Sequence, residues 1–240
     1  MSNKFFLRLV RKFVRKLSQK QDLFDVLPPY EYVQRVNEES VHTYLGIDRR
    51  TVKNWVIVGG YLGGEIPNIL KNYPECTVSI FECSRRYVQR LQEKFSNNER
   101  VKIFDKAVSD VEGYVTFFET NLSGSGSLLE VGELSMDSYG MEPAEQFEVG
   151  CTTLDKMFGD NLIDVLQIDV QGAEEKVLKG ARTTLNNTRA VFIEVSIKEN
   201  LYQDAITFEE VSNIMYGAGF NLCLLGTDFN LTGNALYIQK

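Results

Sequence analysis

The sequence is poor in the residues that build disulfide frameworks, zinc sites and histidine-dependent active sites. It has four cysteines (Cys76, Cys83, Cys151 and Cys223) and one histidine in 240 residues. The cysteines form no Cys-x-x-Cys pair and are too sparse for a disulfide scaffold, so we expect free thiols in a reducing compartment. A single histidine leaves little from which to build a histidine-rich zinc site or a Ser-His-Asp triad. We therefore expect a cytoplasmic protein without a histidine-based catalytic centre.

The chain also lacks a long apolar run. No stretch reaches the roughly 18 residues that a membrane-spanning helix needs, and the N-terminus has no uninterrupted apolar segment of the secretory type. With 43% hydrophobic and 25% charged residues, the composition is that of an ordinary globular protein. The length suits one domain with a large core.

Basic charge is concentrated in the N-terminal tail. The first 20 residues contain seven lysines and arginines and no acidic side chain, whereas the rest of the chain has 19 basic against 33 acidic residues. An acidic body argues against a broad nucleic-acid-binding face. We therefore expect no nucleic acid partner.

The tail pattern predicts a basic amphipathic helix. Large apolar residues share one face at the helical period, opposite the basic residues; these are Phe5, Phe6, Leu9, Val10, Phe13, Val14 and Leu17. We interpret residues 1–20 as this helix, residues 21–54 as a helical cap or linker, and residues 55–240 as the main domain. Pro28-Pro29 ends any helix that continues from the tail.

From Trp55 onward, apolar strands alternate with helical segments. The predicted strands are Trp55–Val58, Thr77–Phe81, Val101–Phe104, Val165–Ile168 and Ala190–Val195, and the predicted helices are Glu65–Asn72, Arg85–Phe95, Glu174–Leu185 and Phe208–Ala218. Further β segments are predicted at Tyr114–Glu119, Phe147–Thr152, Phe220–Leu225 and Ala235–Ile238. The alternation predicts an α/β fold with a doubly wound, mostly parallel sheet, whose parallel strands end at one common edge.

A glycine-rich turn follows the first strand. Gly59, Gly60, Gly63 and Gly64 separate that strand from a helix, an arrangement that either lets a ligand approach the backbone or forms a tight turn. Glu82 ends the second strand, near the offset at which an acidic residue meets ribose hydroxyls in doubly wound folds. An ordinary exposed acid at a strand end is the alternative. The spacing is not Gly-x-Gly-x-x-Gly, which weakens a nicotinamide-binding interpretation.

Several later blocks, in this order, resemble the FkbM family of methyltransferases. They are Asp105–Gly113, Thr153-Leu154-Asp155, Asp169–Ala181 (read as DVQGAEEKVLKGA) and Ile193-Glu194-Val195. The block from Asp169 to Ala181 is the specific one. The resemblance implies a class I, Rossmann-like methyltransferase domain with a seven-stranded sheet whose last strand is antiparallel. It also implies methylation of a hydroxyl on a sugar, glycan or glycolipid.

The same resemblance implies S-adenosylmethionine as cofactor and assigns residues to it. Gly59, Gly60 and Gly63 would hold its methionine portion, Glu82 with Cys83 beside it would hold the ribose, and Asp105, Lys106 and Ala107 would lie against the adenine. Four positions depart from the family pattern: Ile57, Tyr61, Gln167 and Gln171. Because each removes charge or polarity near the expected site, a non-catalytic binding protein on this fold is one alternative function. A nicotinamide-dependent sugar oxidoreductase is the other.

Three acidic residues are candidates for the catalytic base. Asp169 follows a buried strand, Glu174 opens the next helix and Glu194 lies near the end of the following strand. A carboxylate can take the proton that a sugar hydroxyl loses during methylation. The structural alternatives are a helix cap for Asp169 and a favourable charge at a helix N-terminus for Glu174. Oxygen ligands alone have no diagnostic spacing here, so we assign no metal.

Two other features have open interpretations. His42 stands next to apolar residues, and such a histidine is more often packed in a core than in contact with substrate. The loop Ser123–Ser127 (SGSGS) either closes over an acceptor or is an ordinary solvated loop.

We hypothesise that residues 4–17 lie on an anionic membrane surface, because each nearby lysine or arginine adds about 1 kcal/mol of attraction. The alternative is that the apolar face packs on the domain or on a second copy of the chain. Co-sedimentation with anionic liposomes at low salt tests this: the intact chain should pellet, and a variant lacking residues 1–20 should not. An intact chain that stays in the supernatant contradicts the hypothesis, and an oligomer that dissociates on deletion supports the alternative.

Overall fold

An eight-stranded sheet runs through the part of the chain that the computed structural model describes, residues 31–33, 38–227 and 231–240. The strands are β1 (Glu31–Val33), β2 (Asn54–Val58), β3 (Thr77–Glu82), β4 (Val101–Asp105), β5 (Ala107–Val108), β6 (Gly113–Thr120), β7 (Pro143–Thr152), β8 (Ile163–Ile168), β9 (Thr188–Ser196), β10 (Phe220–Thr227) and β11 (Thr232–Gln239). The helices are α1 (Glu38–Leu45), α2 (Ile66–Asn72), α3 (Arg85–Phe95), α4 (Glu133–Tyr139), α5 (Leu154–Met157), α6 (Glu174–Lys179), α7 (Arg182–Asn186) and α8 (Phe208–Gly217).

The main sheet has the order β1-β10-β11-β9-β8-β2-β3-β4. Strand β11 runs antiparallel to both of its neighbours, and the other pairs are parallel. The predicted doubly wound, mostly parallel sheet is thus confirmed, with its seven strands and its antiparallel last strand. The eighth strand, β1, pairs with β10 at the edge. It belongs to the segment interpreted as a helical cap or linker, in which the structure places α1 as well.

Central strands are buried along their whole length because helices cover both faces of the sheet. In β2, Trp55 through Val58 are each no more than 1% exposed. Ile57, one of the departures from the family pattern, is therefore a core residue in contact with the cluster that includes Trp55 and Ile80.

The prediction of one continuous helix over 174–185 is wrong. The chain forms α6 and α7 instead, with Gly180 between them. A Cβ atom at Gly180 would lie 2.0 Å from the carbonyl oxygen of Ser109, and the Gly180 carbonyl accepts a hydrogen bond from the Asp155 amide. The helix is therefore interrupted where the Gly180 backbone packs this closely against the Ser109 segment.

Two additions cover the carboxyl edge of the main sheet. Strands β5, β7 and β6 form a small separate sheet. Residues 129–141 and 200–205 pack on one another around Val131, Met141, Leu201 and Tyr202, and we call them the lobe. The Gly132 amide donates to the Leu201 carbonyl at 2.9 Å, which ties the two halves of the lobe together.

The predicted amphipathic helix over residues 4–17 lies outside the described residues. Among the residues that are described, no helix is long and apolar enough to cross a bilayer.

Candidate functional site

The glycine turn closes the gap between the carboxyl ends of β2 and β8. Gly59 has a φ of 86°, and a Cβ atom there would lie 1.6 Å from the carbonyl oxygen of Asp169. The Asp169 amide in turn donates to the Val58 carbonyl at 2.9 Å. Only glycine allows both the positive φ and this approach. The turn and Asp169 are therefore held side by side at the edge.

Glu82 holds the turn from the neighbouring strand. Its carboxylate accepts hydrogen bonds from the backbone amides of Tyr61 at 2.7 Å, Cys83 at 2.8 Å and Ser84 at 2.7 Å. Burial raises the pKa of Glu82, and the three amides act in the opposite direction. A carboxylate has about four acceptor positions, so one remains for a ligand. The side chain thus has a structural function whether or not it also meets a ribose.

A cleft opens above these residues, and we call it the main cleft. It encloses about 710 Å³, counting the space open to solvent at its mouth. Of the predicted cofactor residues, it is lined by Gly59, Glu82, Cys83, Lys106 and Ala107. Apolar side chains such as Phe117 and Leu128 supply its walls.

The other three predicted cofactor residues do not line the main cleft. Gly60 packs against Ile80, where a Cβ atom would lie 2.4 Å from the side chain. Gly63 packs against side chains of α2 and α3, and Asp105 is exposed at the end of β4. The packing of the turn therefore accounts for both glycines.

The loop Ser123–Ser127 covers the main cleft, and its middle is packed rather than solvated. The hydroxyls of Tyr61 and Tyr87 each share a hydrogen bond of 3.0 Å with Ser123 Oγ. The Gly124 amide donates to the Tyr87 hydroxyl at 3.0 Å, and Ser125 is buried. Tyr61, a departure from the family pattern, thus joins the glycine turn to a lid.

Two of the predicted catalytic carboxylates form a pair, with Gln171 between them. The Gln171 side-chain amide donates to Asp169 Oδ1 at 2.7 Å and to Glu194 Oε2 at 2.6 Å. Burial, and then the negative charge of Asp169, raise the pKa of Glu194 well above its ordinary value. Gln171 thus joins two carboxylates at a place where burial disfavours a second negative charge.

Glu174 is a buried neighbour of this pair. It is 2% exposed and accepts from the amides of Gly172 at 3.1 Å and Val170 at 3.4 Å. Burial raises the pKa of Glu174 to about 7, opposed by these backbone hydrogen bonds and reinforced by the charge of Asp169. Among the described residues, no group of three or more His, Cys, Asp or Glu side chains is placed to hold a metal ion.

Two other residues named from the sequence lie away from the main cleft. His42 is on α1, which packs on β9 and β11. Gln167 stays in the sheet, where it accepts a hydrogen bond from Trp55 Nε1 at 3.3 Å and donates one to Glu65 Oε1 at 3.3 Å. Sequence reasoning missed Tyr87 and Tyr202 as members of the site. Neither has a local motif, because each reaches the site through contacts distant in sequence.

The lining of the main cleft fits S-adenosylmethionine. Three acidic residues, Glu82, Glu119 and Asp169, face it together with one basic residue, Lys106. This excess of negative charge favours a ligand that carries a sulfonium and an ammonium group. The apolar walls suit an adenine ring, and the backbone at Gly59 is open to close approach. The residues that would hold the cofactor thus form one connected surface.

The chain is similar to known methyltransferases over most of its length. The model of the methyltransferase FkbM domain matches residues 10–222. The 2-O-methyltransferase NoeI of Sinorhizobium fredii is 26% identical over 163 residues, which cover 64% of this chain and 67% of NoeI.

Solved structures show the same fold at low identity. A structure from Galdieria sulphuraria described as a sarcosine dimethylglycine methyltransferase is 8% identical, with a TM-score of 0.52 over 84% of this chain and 83% of that one. An S-adenosylmethionine-dependent methyltransferase from Aquifex aeolicus is 12% identical, with a TM-score of 0.48 over 84% of this chain and 89% of that one. The chain belongs to the FkbM family of S-adenosylmethionine-dependent methyltransferases.

Proposed function

We propose that this methyltransferase acts on a hydroxyl of a sugar, within a glycan or glycolipid. The observation that carries the proposal is the Asp169–Glu194 pair, two carboxylates that stand at the carboxyl edge beside the glycine turn and are joined by the Gln171 side chain. Such a pair suits an acceptor that must lose a proton as it is methylated, which a hydroxyl does. The similarity to a protein named as a 2-O-methyltransferase supports the same chemistry.

Some residues of the site bind the donor, and others take the proton from the acceptor. When bound, S-adenosylmethionine supplies a methyl group on a positively charged sulfur, so that a carbon–sulfur bond breaks while a carbon–oxygen bond forms. Glu82 and the backbone at Gly59 fix the donor in the main cleft. Holding the acceptor oxygen in line supplies much of the rate, and the Asp169–Glu194 pair takes the hydroxyl proton.

The lid contributes by excluding water. Tyr61 and Tyr87 hold the Ser123–Ser127 loop over the main cleft through the hydroxyl of Ser123. Charged groups interact more strongly where water is excluded, and a covered site also protects the reactive donor.

The cellular setting is part of the same proposal. A cytoplasmic enzyme whose residues 4–17 contact the inner membrane surface would meet lipid-linked glycans there, and the liposome experiment tests that contact. A homo-oligomer formed through the same apolar face is the alternative outcome of that experiment.

The first prediction concerns the donor. Glu82→Gln should weaken S-adenosylmethionine binding at least about tenfold in calorimetry, because each hydrogen bond to a charged group contributes roughly 1.5–3 kcal/mol. Glu145→Gln, at an exposed carboxylate of β7 outside the main cleft, is the control and should change affinity about threefold or less. A lowered melting temperature with unchanged affinity in Glu82→Gln would show that Glu82 only holds the turn.

The second prediction concerns the chemical step. Asp169→Asn keeps the size of the side chain but removes its charge, so methyl transfer at saturating S-adenosylmethionine should slow about 10²-fold or more. The measurement is transfer of labelled methyl groups to a mixture of neutral methyl glycosides. Glu175→Gln, on the exposed side of α6, is the control. Wild-type turnover in Asp169→Asn would reduce Asp169 to a structural residue, and no transfer by the wild type to any hydroxyl would contradict the proposed function.

A further inference from the structure

A second cavity adjoins the main cleft at the carboxyl end of β9. It encloses about 340 Å³ between the lobe, the end of β9 and the start of β11. Its polar lining includes Ser135, Gln171, Glu174, Glu194, Ser196 and Thr232. That volume includes space open to solvent, and the enclosed part is small, so any ligand here is limited to a single small polar group such as one sugar ring.

Ser135 is the residue that indicates a ligand. It lies on α4 and is 1% exposed, yet its hydroxyl has no hydrogen-bond partner among the described residues. A buried hydroxyl without a partner is unfavourable, and buried polar groups in native proteins are nearly always bonded. Because Ser135 lines the second cavity, a polar group inside that cavity would satisfy it.

A single side chain separates the two cavities. Gln171 lines both, and its amide bonds Asp169 on one side and Glu194 on the other, at 2.7 and 2.6 Å. The Tyr202 hydroxyl lies 3.2 Å from the Gln171 side-chain oxygen and donates to the Ser125 carbonyl at 2.8 Å. A group in the second cavity thus stands next to the Asp169–Glu194 pair.

The charge of the second cavity restricts its ligand. Glu174 and Glu194 line it, and its described lining contains no lysine, arginine or histidine. Carboxyl oxygens accept hydrogen bonds from hydroxyl and ammonium groups, and the described lining has no cation that could pair with a phosphate or carboxylate. The lining therefore suits a neutral or amino-substituted polyol.

We propose that the second cavity is the acceptor subsite and that it binds one neutral or amino-substituted pyranose ring. Ser135 Oγ and the Glu194 carboxylate bind ring hydroxyls, and the reacting hydroxyl faces the Asp169–Glu194 pair at Gln171. Its role as acceptor site rests on the proposed function, whereas the binding of the sugar does not.

Saturation-transfer NMR on the full chain with S-adenosylhomocysteine bound measures this binding directly. The probes are the methyl glycosides of glucose, galactose and mannose, glucosamine, glucuronic acid and glucose 6-phosphate. At least one neutral or amino sugar should bind, and the two acidic sugars should bind about tenfold more weakly or not at all, because the described lining has no cation to pair with an anionic group that leaves water. Binding by none of the six, or preferred binding of an acidic sugar, overturns the proposal.

Variants at Ser135 locate the bound sugar. Ser135→Met fills the cavity and should abolish sugar binding with unchanged affinity for S-adenosylhomocysteine. Ser135→Ala preserves the volume and should weaken sugar binding roughly threefold to tenfold, through the loss of one hydrogen bond. Ser138→Met, on the exposed side of α4, is the control and should bind as the wild type does.

The outcomes separate this proposal from the proposed function. Sugar binding that survives in both Ser135 variants overturns the acceptor subsite, even if the chain methylates hydroxyls. If Ser135→Met does not fold, Ser135→Ala alone decides, and unchanged binding there overturns the subsite. Sugar binding that responds to Ser135, in a chain that methylates no hydroxyl, keeps the binding site and overturns the proposed function.

Discussion

The close approach of Gly59 to Asp169 is the constraint on which the site depends. A Cβ atom at position 59 would lie 1.6 Å from the Asp169 carbonyl oxygen, so any other residue would push the ends of β2 and β8 apart. The glycine turn faces the main cleft, and Asp169 begins the segment that carries Gln171 and Glu174. The contact therefore fixes the distance between the donor-binding turn and the groups that act on the acceptor.

Negative charge is the second constraint at this edge. Burial, and then the negative charge of Asp169, raise the pKa of Glu194, and the same two causes raise the pKa of Glu174. The sequence resemblance implies a glutamate at position 171, one of the departures named above, and a glutamate there would add a fourth carboxylate. Gln171 instead donates hydrogen bonds to two of the three. This departure stabilises the carboxylate arrangement, and it gives no support to a loss of catalytic function.

Sequence reasoning predicted those site residues whose positions follow from the order of the strands. Because parallel strands end at one edge, residues placed just after predicted strands, such as Gly59, Glu82 and Asp169, come together once the alternation is recognised. The same reasoning gave Gly60 and Gly63 a ligand role, although contacts with Ile80 and with α2 and α3 already require them to be small. A pattern of glycines does not distinguish packing against protein from packing against a ligand.

The other half of the site depends on contacts between distant segments. The lobe joins residues 129–141 to residues 200–205, and no periodicity in either segment indicates the other. The lid depends in the same way on two tyrosines that meet Ser123 from different elements. The break at Gly180 has a similar origin, since the atom that excludes a side chain belongs to Ser109. Local sequence patterns do not predict any of these contacts between distant segments.

The central claim is that the main cleft holds the methyl donor, with its reactive end toward the Asp169–Glu194 pair. A crystal structure of the chain grown with S-adenosylhomocysteine tests it most directly. In that structure we expect the ribose to lie within hydrogen-bond distance of Glu82, the adenine to lie beside Ala107, and the sulfur to face Asp169. A ligand bound elsewhere, or bound in the main cleft with its sulfur directed away from Asp169, would contradict the account.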